Sequence, residues 1–204
     1  NATSVPGLFS GPGITGGQRD VVVFKNAGTG TRAYVSSADS AVRNLANDQE
    51  SGVNGFTVIV WDGDIGGSDS ADNDVNDNNV NQPWTFATPD FTGLRDGADS
   101  GLDFNDPFCP ASDRGFAFQV SRPSLGPVEF TIDVFTDGSN WSRSVQTKAG
   151  GSFASPGIVE FPQSSFGTQA GSGADFGNVG AVRLTIDASA ADEDITIDSA
   201  IHTC

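Results

Sequence analysis

The sequence predicts an all-β fold, in which two antiparallel sheets pack face to face as a β-sandwich. Helical periodicity is almost absent over the 204 residues, whereas alternating apolar and polar segments recur from end to end. Gly, Pro, Asn and Asp bound these segments at intervals of about ten residues, as turns do. Since no candidate helix is long enough to cover a parallel sheet, two packed antiparallel sheets are the expected architecture.

The two clearest strands are residues 114–122 and 128–135, in which every second residue is apolar. The segment SRPSLGP between them has the composition of a turn, so we expect these two strands to be neighbours in one antiparallel pair. Residues 38–49 fit either a short helix or an irregular strand. The other predicted strands are residues 20–25, 32–36, 56–61, 142–147, 158–161, 181–187 and 194–200.

The domain organisation follows from the absence of any composition break that resembles an interdomain linker. Residues 18–204 are predicted to form a single β-sandwich domain. Residues 1–17 are predicted to be a flexible or strand-donating N-terminal segment, because a few apolar side chains lie there between glycines.

The charge balance limits the partners. The chain has 22 Asp and 4 Glu against 8 Arg and 2 Lys, which gives a net charge of −16. Nucleic acids and anionic membranes favour basic surfaces, so neither is an expected partner. No apolar run approaches the length of a membrane span, and no membrane insertion is expected. The chain begins at Asn1 and has no methionine, which suggests a secreted, extracellular or cell-surface protein whose signal peptide has been removed.

Two cysteines and two sequons indicate sites of covalent modification. Cys109 and Cys204 fit one disulfide in an oxidising compartment, and two unrelated free thiols are the alternative. Asn1 and Asn140 each begin an N-x-S/T sequon, which would be used only if it were exposed.

An acidic loop follows the apolar run that ends at Trp61 and continues to Trp84. Calcium prefers six to eight oxygen ligands, and alternate residues of a tight loop can direct carboxylates to one point. The spacing is not that of an EF-hand, because the closing glutamate is missing. Calcium is therefore the expected cofactor, and a solvated acidic loop is the alternative. The candidate ligands are Asp62, Asp64, Asp69, Asp72, Asp74 and Asp77.

Catalysis is not expected. His202 is the only histidine and lies two residues from the end of the chain, so a histidine-based triad would have to be built from a terminal tail. The four glutamates are isolated in the sequence. Trp84 and Trp141 lie among polar residues, where an exposed indole could stack on a sugar ring, although most tryptophans in sandwiches pack in the core.

The C-terminal sequence ADFGNVGAVRLTIDASAADEDITIDSAI resembles the closing strands of secreted bacterial jelly-roll domains in cell-surface proteins. GGQRDVVV, FTVIVWDG and FTIDVFTDG fall where that group has similar strands. The resemblance covers most of the chain and implies an all-β, antiparallel two-sheet β-sandwich of the jelly-roll type, similar in fold to carbohydrate-binding modules. The acidic loop and the segment around Cys109 depart from the group's pattern.

Two functions follow as hypotheses. The first is a non-catalytic, calcium-stabilised structural protein that is displayed at the cell surface or self-assembles into an extracellular layer or filament, as a homo-oligomer or polymer. The alternative is a carbohydrate-binding module with a glycan as its ligand. Self-assembly predicts an apolar terminal strand that seeks a partner, whereas a lectin predicts a face with exposed aromatic side chains.

Overall fold

The structure of the chain is a computed structural model. It describes residues 7–10, 18–27, 33–36, 45–49, 54–61, 94, 103–105, 108–121, 127–149, 157–187 and 193–203. Side chains are described for residues 56–61, 94, 103–105, 108–120, 127–149, 157–187 and 197.

Twelve strands and one 3₁₀ turn, Gln163–Ser165, make up the regular structure of the described residues. The strands are β1 Gly7–Ser10, β2 Gln18–Ala27, β3 Ala33–Ser36, β4 Leu45–Gln49, β5 Asn54–Trp61, β6 Gly115–Ser121, β7 Val128–Asp137, β8 Asn140–Lys148, β9 Gly157–Pro162, β10 Gly167–Ala170, β11 Ala181–Asp187 and β12 Glu193–Thr203.

The strands form two antiparallel sheets. The seven-stranded sheet has the order β1-β2-β5-β11-β7-β8-β10, and the five-stranded sheet has the order β3-β4-β12-β6-β9. From β5 to β7, each strand lies in the opposite sheet to the strand before it. The neighbours β4-β12-β6-β9 and β5-β11-β7-β8 are those of a jelly roll, in which successive strands alternate between the sheets and the last strands insert between the first ones. The predicted fold class is confirmed.

The predicted pairing of residues 114–122 with residues 128–135 is wrong. Strand β6 pairs with β12 and β9, whereas β7 pairs with β11 and β8 in the other sheet. The physical reason is that each strand has a continuous apolar face. That face reaches the core whether the two strands are neighbours in one sheet or lie in opposite sheets, so alternation alone does not decide the pairing, which depends on the distant strands β9, β11 and β12.

Sequence periodicity missed two short strands, β1 and β10, and left the region of β4 open between a helix and a strand. The described part of residues 38–49 is extended and forms β4, which pairs with β3 and β12. Within the N-terminal segment, residues 7–10 form β1 at the edge of the seven-stranded sheet and pair with β2 of the same chain. The rest of residues 1–17 lies outside the described residues.

The core lies between the two sheets and is rich in phenylalanine and branched aliphatic side chains. Strand β7 contributes Val128, Phe130, Ile132 and Val134, all completely buried. Phe118 of β6 packs edge-on against Phe161 of β9, with ring centroids 5.9 Å apart. The inward-facing residues alternate along β6, β7 and β9, as the sequence periodicity predicted.

Among the described residues, no helix has the length and apolar character needed to cross a lipid bilayer.

Candidate functional site

Strand β7 is buried on both of its faces, although alternation in the sequence predicts burial on only one. The side chains that point away from the five-stranded sheet lie on what we call the outer face of the seven-stranded sheet. On this face Thr131, Asp133 and Phe135 are buried. A carboxylate without exposure to water needs charged or hydrogen-bonding partners, because an unpaired buried charge is strongly unfavourable.

Two arginines supply those partners from the neighbouring strands. Asp133 is in register with Arg143 of β8 on one side and with Arg183 of β11 on the other. Arg143 donates from Nε to Oδ1 at 2.6 Å and from Nη2 to Oδ2 at 3.0 Å. Arg183 donates from Nη2 and Nε to Oδ2, at 2.7 and 3.0 Å. The carboxylate therefore accepts four charge-assisted hydrogen bonds across three strands.

Two aromatic rings continue this arrangement along the same face. Phe135 is in register with Trp141, and their rings stack with centroids 5.3 Å apart and an interplanar angle of 26°. The guanidinium of Arg143 lies 5.3 Å from the centre of the Trp141 ring, and that of Arg183 lies 5.3 Å from the centre of the Phe135 ring. Cation–π contacts thus join the ion pairs to the rings. We call Asp133, Phe135, Trp141, Arg143 and Arg183 the arginine–aromatic cluster.

The cluster has a net positive charge, since one carboxylate faces two guanidinium groups. The hydrogen bonds to Asp133 raise the pKa of Arg143 above its usual value, against the opposite effect of desolvation. Arg143 therefore remains cationic at any physiological pH. In a chain with a net charge of −16, the positive charge is local to this cluster, because the Glu129 carboxylate lies further along the same face of β7 and also raises the pKa of Arg143.

Solvent exposure within the charged part of the cluster is greatest on β8. The exposed fraction of the side chain is 1% for Asp133, 12% for Arg183 and 37% for Arg143. Trp141 is half-buried, and further along β8 Val145 is 46% exposed. These residues lie on the same face of β8, so an accessible strip of about 20 Å runs from Trp141 to Thr147.

The turn between β7 and β8 fixes the backbone next to Trp141. The Asp137 carboxylate accepts hydrogen bonds from the backbone amides of Ser139 and Asn140, at 2.7 and 2.9 Å. The Asn140 side-chain oxygen accepts from the amide of Ser172 at 3.0 Å. Gly171 has a φ of +57°, and an added Cβ would collide with the Asn140 side chain. The indole is thus held by the turn as well as by its ring contacts.

The edge strand β10 leaves space beside the guanidinium. Gly167 is in register with Arg143, so the two residues share the outer face. A Cβ added at Gly167 would have no atom within 4 Å. The side of Arg143 that faces β10 is therefore open.

Most of the acidic and aromatic residues predicted as sites lie outside the described residues. These are Asp62, Asp64, Asp69, Asp72, Asp74, Asp77 and Trp84. In the part of the chain that the structure describes, no three carboxylate, cysteine or histidine side chains form a group that could hold a metal ion. Calcium binding by residues 62–77 stays a prediction.

Of the residues predicted to be modified, the structure describes two. Cys109 is buried, and Cys204 lies outside the described residues, as does Asn1. Asn140 is half-buried. Its Nδ2, the atom to which a glycan would be attached, donates to both oxygens of Asp137 at 3.1 and 3.0 Å. A glycan at this sequon would replace one of the two N–H donors of Nδ2.

Sequence reasoning singled out Trp141 but missed the other four residues of the cluster. Each of the charged residues is a single charged residue among uncharged neighbours in a predicted strand, as in FTIDVF, SRSVQT and AVRLTI. The signal is weak in any one strand. It becomes strong only when the register places Arg183, Asp133 and Arg143 in one row, and a single sequence does not give that register.

Fold and site together define a jelly-roll β-sandwich with an ordered polar and aromatic face on one sheet. Neither a protein-family model nor a curated protein matches the chain. Among solved structures, the chain is similar to the family 11 carbohydrate-binding module of the cellulosomal cellulase Lic26A-Cel5E of Clostridium thermocellum, with a TM-score of 0.42 and 11% identity over 100% of this chain and 95% of that one.

A family 11 module from Clostridium thermocellum in complex with a β-1,3-1,4-mixed-linked tetrasaccharide gives a TM-score of 0.39 and 13% identity, over 96% of this chain and 86% of that one. The solution structure of CtCBM11 gives 0.41 and 12%, with the same coverage. Because these scores and identities are low, the fold assignment above depends on the strand order of this chain.

Proposed function

We propose that this chain is a non-catalytic, extracellular glycan-binding β-sandwich whose ligand lies along β8 on the outer face of the seven-stranded sheet. One observation carries this proposal: Trp141 is half-exposed and is held in a fixed orientation beside a partly exposed guanidinium. This favours the carbohydrate-binding hypothesis over the structural one, because the aromatic residue is accessible on a sheet face.

The chemistry of this face suits a sugar. An indole ring offers an apolar surface to the C–H groups of a pyranose and a polar N–H to its hydroxyls. The Trp141 N–H has no hydrogen-bond acceptor among the described residues, so it can donate to a ligand. Stacking on Phe135 and the Asp137–Asn140 turn already order the indole, which lowers the entropy lost on binding.

Affinity electrophoresis of the full chain through gels that contain soluble polysaccharides tests the proposal. At least one polysaccharide should retard the parent, and Trp141→Ala should abolish the retardation. Ile158→Ala is the matched control, because Ile158 is an apolar side chain that is 60% exposed on the other sheet. Normal mobility of the parent in every gel, or equal retardation of Trp141→Ala, would refute glycan binding at this face.

A second candidate function is self-assembly by strand exchange, which one observation favours. Strand β1 has only four residues and lies at the edge of its sheet, where it pairs with β2 alone. A glycine-rich segment, residues 11–17, joins β1 to β2. The same pairing could be made with β2 of a second copy. Bridging calcium between the acidic loops would reduce the repulsion between copies.

Light scattering with and without millimolar calcium tests this second candidate. The particle size of the full-length chain should increase with calcium and decrease with EDTA. A chain that lacks residues 1–17 should remain monomeric in both solutions. A full-length chain that remains monomeric at high concentration in calcium would exclude it. Melting temperatures in calcium and in EDTA, for the parent and for Asp62→Asn with Asp64→Asn, separately test calcium binding by residues 62–77.

A further inference from the structure

We infer that the ligand of the outer face is an acidic polysaccharide, whose carboxylate or sulfate groups bind Arg143. This inference rests on the proposed glycan-binding function and names the class of glycan. It follows from the hydrogen bonds that Arg143 makes, its exposure, and the space beside it.

Arg143 has N–H groups that Asp133 does not use and that a ligand can bind. A guanidinium has five N–H groups. Asp133 accepts from Nε and from one N–H of Nη2, and no other hydrogen bond of Arg143 is found among the described residues. Both N–H groups of Nη1 and one of Nη2 therefore have no acceptor in this part of the chain. Because 37% of the side chain is exposed, a ligand can reach it.

The cluster also presents an accessible positive charge. Asp133 neutralises one of two guanidinium groups, and Arg183 is largely buried, so the remaining positive charge is accessible mainly at Arg143. A neutral sugar would give this cation only hydroxyl acceptors. A carboxylate or sulfate oxygen gives charge-assisted hydrogen bonds, which are about twice as strong as neutral ones.

The net charge of −16 opposes the approach of an anion. At physiological ionic strength, however, charges on the protein surface act over a Debye length of only about 8 Å. The groups that face the ligand at contact are Arg143, Trp141 and the open position at Gly167. Glu129 of β7 lies on the same face, but its register partner is Thr147, four residues or about 13 Å along β8 from Arg143. Screening weakens its repulsion of an anion at Arg143, and the repulsion favours a ligand whose charge lies at the Trp141 end of the strip.

The structure also leaves space for an anionic group beside Arg143. Gly167 lies next to Arg143 on the outer face, and nothing occupies the position of a side chain there. An oxyanion on a sugar ring stacked at Trp141 would have access to the free N–H groups from this side. Since the φ of Gly167 is not in the left-handed region, a larger residue at this position would fill the space without backbone strain.

Calorimetric titration of the full chain with matched oligosaccharides tests the inference. Oligogalacturonate and its methyl ester have the same rings and differ in charge, and a sulfated galactan oligosaccharide and its desulfated form distinguish sulfate from carboxylate. At least one acidic form should bind at least about tenfold more tightly than its neutral counterpart. That preference should decrease as salt is raised.

Three variants locate the effect. Arg143→Gln should remove the preference for the acidic form, and Gly167→Leu should weaken binding of the acidic form at least about tenfold while the chain stays folded. Lys148→Gln removes the same charge from β8 but at a position of opposite parity, and should leave the preference unchanged. If Arg143→Gln does not fold, Gly167→Leu alone decides the outcome.

Two results separate the inference from the proposed function. Equal affinity for acidic and neutral forms, with binding still lost in Trp141→Ala, would overturn the acidic ligand and leave glycan binding intact. Absence of binding for every acidic and neutral oligosaccharide would overturn both.

Discussion

The outer faces of the two sheets are built differently. On the seven-stranded sheet, the outer face holds a buried carboxylate, two arginines and two stacked rings. On β6 and β9 of the five-stranded sheet, the described outer positions hold small, polar or isolated apolar residues, among them Ala117, Gln119, Ile158 and Glu160. Ring stacking and cation–π contacts are absent at these four positions in the described part of the chain.

This difference between the outer faces indicates which of them is suited to binding a ligand. Residues on an outer face that only meets water need no fixed partners, and substitutions there change stability little. In the arginine–aromatic cluster, by contrast, directional contacts order five side chains. Ordering these side chains costs conformational entropy. A face that is ordered in this way before any ligand binds is suited to selective binding.

The largest predicted effect lies at one end of the five-stranded sheet. Thr203, the last residue of β12, is in register with Gly115, and the neighbouring Arg114 donates from Nε to the Cys109 carbonyl at 3.0 Å. Cys109 thus lies near the strand end that precedes Cys204. The predicted Cys109–Cys204 disulfide would close a loop of about 95 residues, and its loss should lower the free energy of unfolding by about 3 to 5 kcal/mol.

Urea unfolding of Cys109→Ser and Cys204→Ser measures this loss. Both variants should lose the same amount, because each removes the same bond. A loss in Cys109→Ser alone would assign the effect to packing of this buried residue. Two alkylatable thiols in the unreduced native protein, seen by intact mass, would contradict the disulfide.

The next effect belongs to the arginine–aromatic cluster. Asp133→Ala removes the acceptor of four hydrogen bonds and leaves two guanidinium groups without their shared counter-charge. Stability should decrease by about 3 kcal/mol, at the lower end of the range for a broken buried pair, because Arg143 can be partly rehydrated. Gln119→Ala on the five-stranded sheet is the control and should change stability by at most about 0.5 kcal/mol. Similar small losses in both variants would mean that the two faces do not differ energetically.

The two arginines should contribute unequally to the free energy of unfolding. Arg183→Gln should cost about 2 kcal/mol and Arg143→Gln about 1 kcal/mol or less, since the more exposed side chain gains less from the ion pair. The pKa of Arg143 is higher in the folded than in the unfolded chain, so its contribution to stability is complete below the unfolded value and is lost only as the pH rises through the folded one. The difference between parent and Arg143→Gln should therefore be constant from about pH 6 to 9. A loss that varies across this range, or a larger loss for Arg143 than for Arg183, would contradict the exposure gradient.

The smallest effects are expected at the open edges. Gly167→Leu on β10 and Ile158→Thr on β9 should each change the melting temperature by no more than a few degrees, which corresponds to about 0.5 kcal/mol. Only Gly167→Leu should affect ligand binding. A strongly destabilised Gly167→Leu would show that the space beside Arg143 is needed by the fold itself.

How much the sequence predicted depends on the range of the interaction. Alternation of apolar residues located β5, β7 and β11, because each strand carries its own pattern. The same pattern could not assign β6 and β7 to opposite sheets, since the choice of partner depends on distant strands. Trp141 was identified by its local polar surroundings. Asp133 and its two arginines were missed because only the strand register brings them together, and they lie up to 50 residues apart in the sequence.

The proposed glycan ligand lies along β8, on the outer face of the seven-stranded sheet. NMR titration of the ¹⁵N-labelled chain with oligogalacturonate, or with the polysaccharide fragment that retards the parent most, tests it directly. The Trp141 indole N–H, the Arg143 Nε–H and the amides of β8 and β10 should shift together and saturate, while those of Gln119 and Ile158 stay in place. Saturable shifts centred on β6 and β9, with Trp141 unchanged, would contradict the account.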